Sequence, residues 1–109
     1  MGLFFWKNTK QIDVFAQVVA DHLYSYVLPD AAKAYFEGAY QKSDKKQQRQ
    51  VEKRLGMIVK EFRRFSEINS LGIYGKARLQ QQFSERLREL GYEATVTNRL
   101  IEITLLANA

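Results

Sequence analysis

The chain has 109 residues, no cysteine, 27% charged residues and a formal net charge of +5. That length suits a single domain, residues 1–109, able to bury a core without staples. Its 14 aromatic residues argue against disorder, and the absence of cysteine excludes disulfides, thiolate nucleophiles and cysteine-ligated metals.

The chain opens on Gly2-Leu3-Phe4-Phe5-Trp6, followed at once by Lys7. This apolar run is too short for the core of a signal peptide, and no stretch approaches the length of a membrane span. Gly2 invites the myristoylation pattern, but Trp6 stands where Ser or Thr is required. A cytoplasmic protein is expected, and its short, unadorned chain suggests a bacterial one. The Leu3–Trp6 cluster is expected to fold back on the first helix or meet a second copy, in preference to dipping into a membrane interface.

A first helix is predicted over about residues 9–28. Asn8 and Gln11 have capping-box spacing, and Ile12, Phe15, Ala16, Val19, Leu23, Tyr26 and Val27 share one face at helical period. Pro29 ends it and opens a weaker second helix, about 30–41, with Gly38 in its interior. A third helix, about 44–68, has Ser43 as N-cap and a seam of Val51, Leu55, Ile58, Phe62 and Phe65. A fourth, about 75–90, presents Leu79, Phe83, Leu87 and Leu90, and Gly91 stands where a left-handed residue closes a helix.

Between the third and fourth helices lies Gly72-Ile73-Tyr74-Gly75-Lys76. A Walker A loop fails here: Ser70 stands in place of the first glycine, Ala77 in place of the Mg²⁺-binding hydroxyl, and no strand precedes it. The GIYG stretch also matches the bare GXXG clamp of KH domains. It lacks a basic residue at Ile73 and Tyr74, the helix before it is too long, and only one strand pair is in prospect. The expectation is therefore a tight reversal, with glycine supplying backbone freedom and Ile73 and Tyr74 dipping inward as apolar plugs. Gly72→Val is expected to lower the melting temperature.

After Gly91 the apolar period shifts from 3.6 to 2. With a turn at Asn98-Arg99, Tyr92 faces Leu105, Ala94 faces Ile103 and Val96 faces Ile101 on one apolar side. This predicts a C-terminal antiparallel β-hairpin, 92–97/100–106, and hence an α+β domain of four helices finished by a hairpin. The rival reading, a fifth helix over 99–107 capped by Asn98, is disfavoured by the β-branched content. A lone two-stranded ribbon is marginal in water, so its free edge suggests pairing with a second copy through the outward residues Leu100, Glu102 and Thr104.

Charge is concentrated in the middle of the chain. Residues 43–69 hold eight Lys or Arg against four Asp or Glu. Lys46, Arg49, Lys53, Lys60 and Arg64 fall in a narrow sector opposite the apolar seam and form a candidate polyanion contact. Glu52, Glu61 and Glu67 lie nearby and no aromatic residue interleaves the cations, so a solvated face is the plainer reading. His22 is the lone histidine and has no second histidine to share a metal. No G-x-S-x-G elbow is present, so neither catalysis nor a cofactor or metal is expected.

The sequence thus points to a small, non-catalytic interaction or accessory protein whose partner is another protein or itself as a homodimer. The alternative is a nucleic-acid-binding module using the basic face of the long central helix. A membrane is the least favoured partner.

Overall fold

The computed structural model describes residues 2–38 and 45–108, and the side chains of 9–38 and 45–104. The described residues form five helices: α1 (Gly2–Tyr26), α2 (Pro29–Phe36), α3 (Lys45–Ile68), α4 (Ile73–Glu89) and α5 (Ala94–Asn108). No strand occurs among them, so the α+β expectation is corrected to an all-helical fold. The segments 92–97 and 100–106, expected as a hairpin, lie almost wholly within α5. The rival fifth helix is nearer to what is found, although α5 starts before Asn98.

The reason lies in which side chains α5 buries. Val96, Leu100 and Thr104 are each 2% exposed and recur every fourth residue, continuing the spacing from buried Tyr92 just before the helix, with Thr97 fully buried beside them. That row is helical, and it packs on both α3 and α4. Tertiary burial outweighs the modest strand preference of the β-branched residues. Thr104 satisfies its hydroxyl locally, donating to the carbonyls of Leu100 and Ile101.

α1 and α4 are the central pair, and they run parallel. Arg78 grips Asp13 through both guanidinium arms at 2.9–3.0 Å, and Arg86 meets Asp21 at 2.8 Å. Both pairs span 65 residues, and the same offset recurs where the Tyr92 hydroxyl donates to the Val27 carbonyl. A constant offset means that the two chains advance in the same direction. α3 runs the other way along α1: Phe15 stacks on Phe65 with centroids 4.0 Å apart, while Tyr26, three turns on, lies under Arg54. The core is shared by Ile12, Ala16, Val19 and Leu23 of α1, by Val51, Leu55, Ile58 and Phe62 of α3, and by Leu79, Phe83 and Leu87 of α4. Phe62, fully buried, meets Phe83 and Phe15 edge-on, the arrangement aromatic quadrupoles favour.

Several boundaries differ from those expected. α1 starts at Gly2, so the Asn8–Gln11 spacing lies inside a helix and not at its start. Pro29 occupies the first turn of α2 and Leu28 before it is extended, as the proline ring requires. Gly38 does not sit inside that helix: with φ +66° it follows the C-cap, and its N–H bonds the Tyr35 carbonyl. The expected Ser43 cap lies outside the described residues, as do the side chains of Leu3–Trp6 and Leu105. Tyr26, expected in the core, is 56% exposed.

α3 and α4 end alike. After α4, the N–H of Tyr92 reaches back to Leu87 and that of Gly91 to Arg88; after α3, Leu71 reaches Ser66 and Ser70 reaches Glu67. These are paired Schellman closures. The left-handed residue is Gly91 (φ 99°) in one and Ser70 (φ 50°) in the other. Gly72 is not the strained residue of the α3–α4 turn. Its φ is −85° and a Cβ there would touch nothing, so the expected loss from Gly72→Val has no structural basis. Gly75 is the tight position, where a Cβ would lie 3.1 Å from the Leu71 side chain. Ile73 and Tyr74 do not plug the turn; they are 86% and 82% exposed.

Candidate nucleic-acid interface

α3 is 24 residues long and carries eight Lys or Arg against three Glu. Its buried positions, Val51, Leu55, Ile58, Phe62 and Ser66, lie on one side. Helical geometry therefore turns Lys46, Arg49, Lys53, Lys60 and Arg64 outward, and all five are exposed. From Lys46 to Arg64 the row extends about 27 Å at the helical rise.

Four described cations outside α3 are engaged in ion pairs. Lys33, Arg78, Arg86 and Arg99 each hold a carboxylate: Glu93, Asp13, Asp21 with Glu89, and Glu102 respectively. The hydrogen bond to Asp13 raises the Arg78 pKa, and the bond to Asp21 does the same for Arg86. These pairs tie helices to one another or brace a single helix. Among the described residues no carboxylate stands within 4.0 Å of Lys46, Arg49, Lys53, Lys60 or Arg64. The positive field of this face is thus left for an external partner or for solvent.

Gly56 lies between Lys53 and Lys60 in the middle of α3. Glycine inside a helix costs about 1 kcal/mol relative to alanine. A Cβ at Gly56 would meet nothing within 4 Å, and its backbone needs no positive φ. Neither packing nor turn geometry accounts for it, and the bare backbone leaves room for a close approach between flanking lysines.

On the flank of α3 facing α1 the structure adds what the sequence reading missed. Tyr26 stands with its ring 3.5 Å from the Arg54 guanidinium carbon and 6.0 Å from the His22 ring. Between this aromatic and α3 opens a cleft of about 500 Å³ lined by Gln47, Gln50, Val51, Lys53 and Arg54. The sequence placed Tyr26 with the core-facing residues of α1, and only the antiparallel crossing of α1 and α3 brings it beside the cations. A smaller cleft of about 100 Å³ follows along the same seam, with His22, Met57 and Glu61 at its edges.

The residues expected to carry a dimer contact are placed differently. Leu100 and Thr104 are each 2% exposed and belong to the core; Glu102 is on the surface, paired with Arg99 at 3.3 Å. With no strand edge there, the pairing envisaged through these three residues has no geometry to support it. Other apolar side chains are exposed instead. Val14 and Val18, one turn apart on α1, are each 54% exposed beside a shallow groove that reaches Phe15 and Arg78. Among the described residues no three His, Asp or Glu side chains gather as a metal site, and no helix is long and apolar enough to cross a membrane.

Fold and surface together define, among the described residues, a bundle of five helices with a long row of cations on α3 that form no ion pair with a described carboxylate. No family model, curated protein or solved structure matches the chain.

Proposed function

We propose that the protein is a non-catalytic interaction module whose α3 outer face binds the phosphate backbone of a nucleic acid. The observation carrying this reading is the row itself: among the described residues no carboxylate stands within 4.0 Å of Lys46, Arg49, Lys53, Lys60 or Arg64, whereas Lys33, Arg78, Arg86 and Arg99 each hold one. Five charges along about 27 Å match a polyanion with closely spaced phosphates. Gly56, without a packing reason, supports the same face as a contact surface.

The test is binding of labelled RNA and DNA across a salt series. If most of the five cations take a phosphate, log Kobs falls with log salt at a slope of about −3. Lys53→Glu with Lys60→Glu weakens binding and flattens that slope without unfolding the chain, because both side chains are exposed. Failure to retain any RNA or DNA at low salt removes the reading.

Self-association is the second reading, favoured by the neighbouring exposed valines Val14 and Val18. Light scattering at tens of micromolar decides it: a monomer mass eliminates it, and a dimer that Val18→Lys dissociates supports it.

A further inference from the structure

We infer that the cleft between Tyr26 and the N-terminal half of α3 holds a nucleobase, which makes the ligand of the basic face a single-stranded polynucleotide. This inference rests on the phosphate-binding reading above. In a duplex the bases are stacked and paired, and only their edges can be reached, through the grooves. A recess at the flank of a helix is filled instead by a base turned out of the stack, as in single-strand recognition.

The cleft has the parts that such a base needs. Tyr26, 56% exposed, supplies an aromatic ring, one face of which Arg54 already covers. Arg54 lies 3.5 Å from the ring centroid and adds a cationic plane of its own. Gln47 and Gln50 line the recess, and each amide carries donors and an acceptor suited to a base edge. Val51, 6% exposed, gives an apolar wall. Lys53 belongs to both the recess and the outward cation row, so a strand following the row passes the mouth of the recess. The volume, about 500 Å³, lies within the range of sites that hold small organic groups. The sequence pattern showed cations without aromatics; the fold places one aromatic at their margin.

The experiment uses fluorescence anisotropy at low salt with the full chain. Its probes are a labelled oligothymidylate of about 16 nucleotides and a labelled duplex of the same length. The variants are Tyr26→Ala, Tyr26→Trp, Gln50→Ala, and the pair Lys53→Glu with Lys60→Glu, each checked for helicity by circular dichroism. The expected result is tighter binding of the single strand than of the duplex. Tyr26→Ala weakens the single strand about tenfold, leaves the duplex unchanged, and is rescued by Tyr26→Trp. The Lys pair weakens both probes. Equal affinity for the two probes, or a Tyr26→Ala variant that binds the single strand as wild type does, overturns the base-holding cleft while the phosphate-binding face stands. Loss of all binding in the wild type overturns both.

Discussion

Tyr92→Phe deletes one oxygen from the junction where α1 ends, α4 has just closed and α5 is about to start. Tyr92 is 3% exposed, and its hydroxyl donates to the Val27 carbonyl. The phenylalanine ring keeps the packing, including the edge-on contact with Tyr24. The loss is therefore the hydrogen bond plus a worse-satisfied buried carbonyl, about 1–2 kcal/mol. For a chain of this size about 1 kcal/mol corresponds to about 4 °C, so thermal unfolding followed by circular dichroism should show a fall of about 4–8 °C. A second readout separates this cause from general loosening. Burial, and then the neighbouring Tyr24, push the Tyr92 pKa above its ordinary value of 10.0. The fold accommodates the neutral phenol, whereas the unfolded chain releases the proton near pH 10. The stabilisation is thus complete below pH 10 and declines as pH rises toward the folded-state value. The phenylalanine variant has no such proton. The stability gap between the two proteins should narrow above pH 10 by up to about 1.4 kcal/mol per pH unit. Tyr35 is also shifted upward, by burial first and then by Glu52, but it is common to both proteins and cancels in the difference. Equal melting temperatures at pH 7, or a gap that stays constant from pH 9 to 11, would refute the reasoning.

Ser70→Gly should raise the melting temperature by about 2–4 °C in the same assay. A left-handed non-glycine residue costs about 1–2 kcal/mol, and the greater chain entropy of glycine returns about half of that; a fall would show that the Ser70 side chain contributes to the turn. Thr97→Val should stabilise by about 1 kcal/mol, because the Thr97 hydroxyl is buried without a hydrogen-bond partner. Chemical denaturation measures this, and a loss of stability would reveal a partner for that hydroxyl. Gly56→Ala should add about 1 kcal/mol, since the new methyl meets open space in a regular helix; an unchanged denaturation midpoint would contradict it.

The seams of α3 and α4 were legible because Val51, Leu55, Ile58, Phe62 and Leu79, Phe83, Leu87 are strongly apolar and fit only a helical period. α5 was not, for a specific reason: two of its buried residues are threonines. Thr97 and Thr104 count as polar in any hydropathy pattern, so the helical row that they complete was hidden, while the alternation of Ala94, Val96, Ile101 and Ile103 stood out. The same masking affected the α3–α4 turn. The backbone freedom of this turn was assigned to its glycines, yet the left-handed residue is Ser70 and Gly72 has a negative φ. The cation row of α3 could be read from spacing alone. The recess beside it could not, because it depends on how α1 crosses α3, and no local pattern encodes that crossing.

The parallel pairing of α1 with α4 has a consequence for biosynthesis. The oily side of α1 leaves the ribosome before its chief covering, Leu79 to Leu87, which is translated about 65 positions later. For most of translation that surface can be shielded only by a chaperone or by loose collapse with α3. Nascent chains arrested before Leu79 should therefore be the aggregation-prone species of this polypeptide.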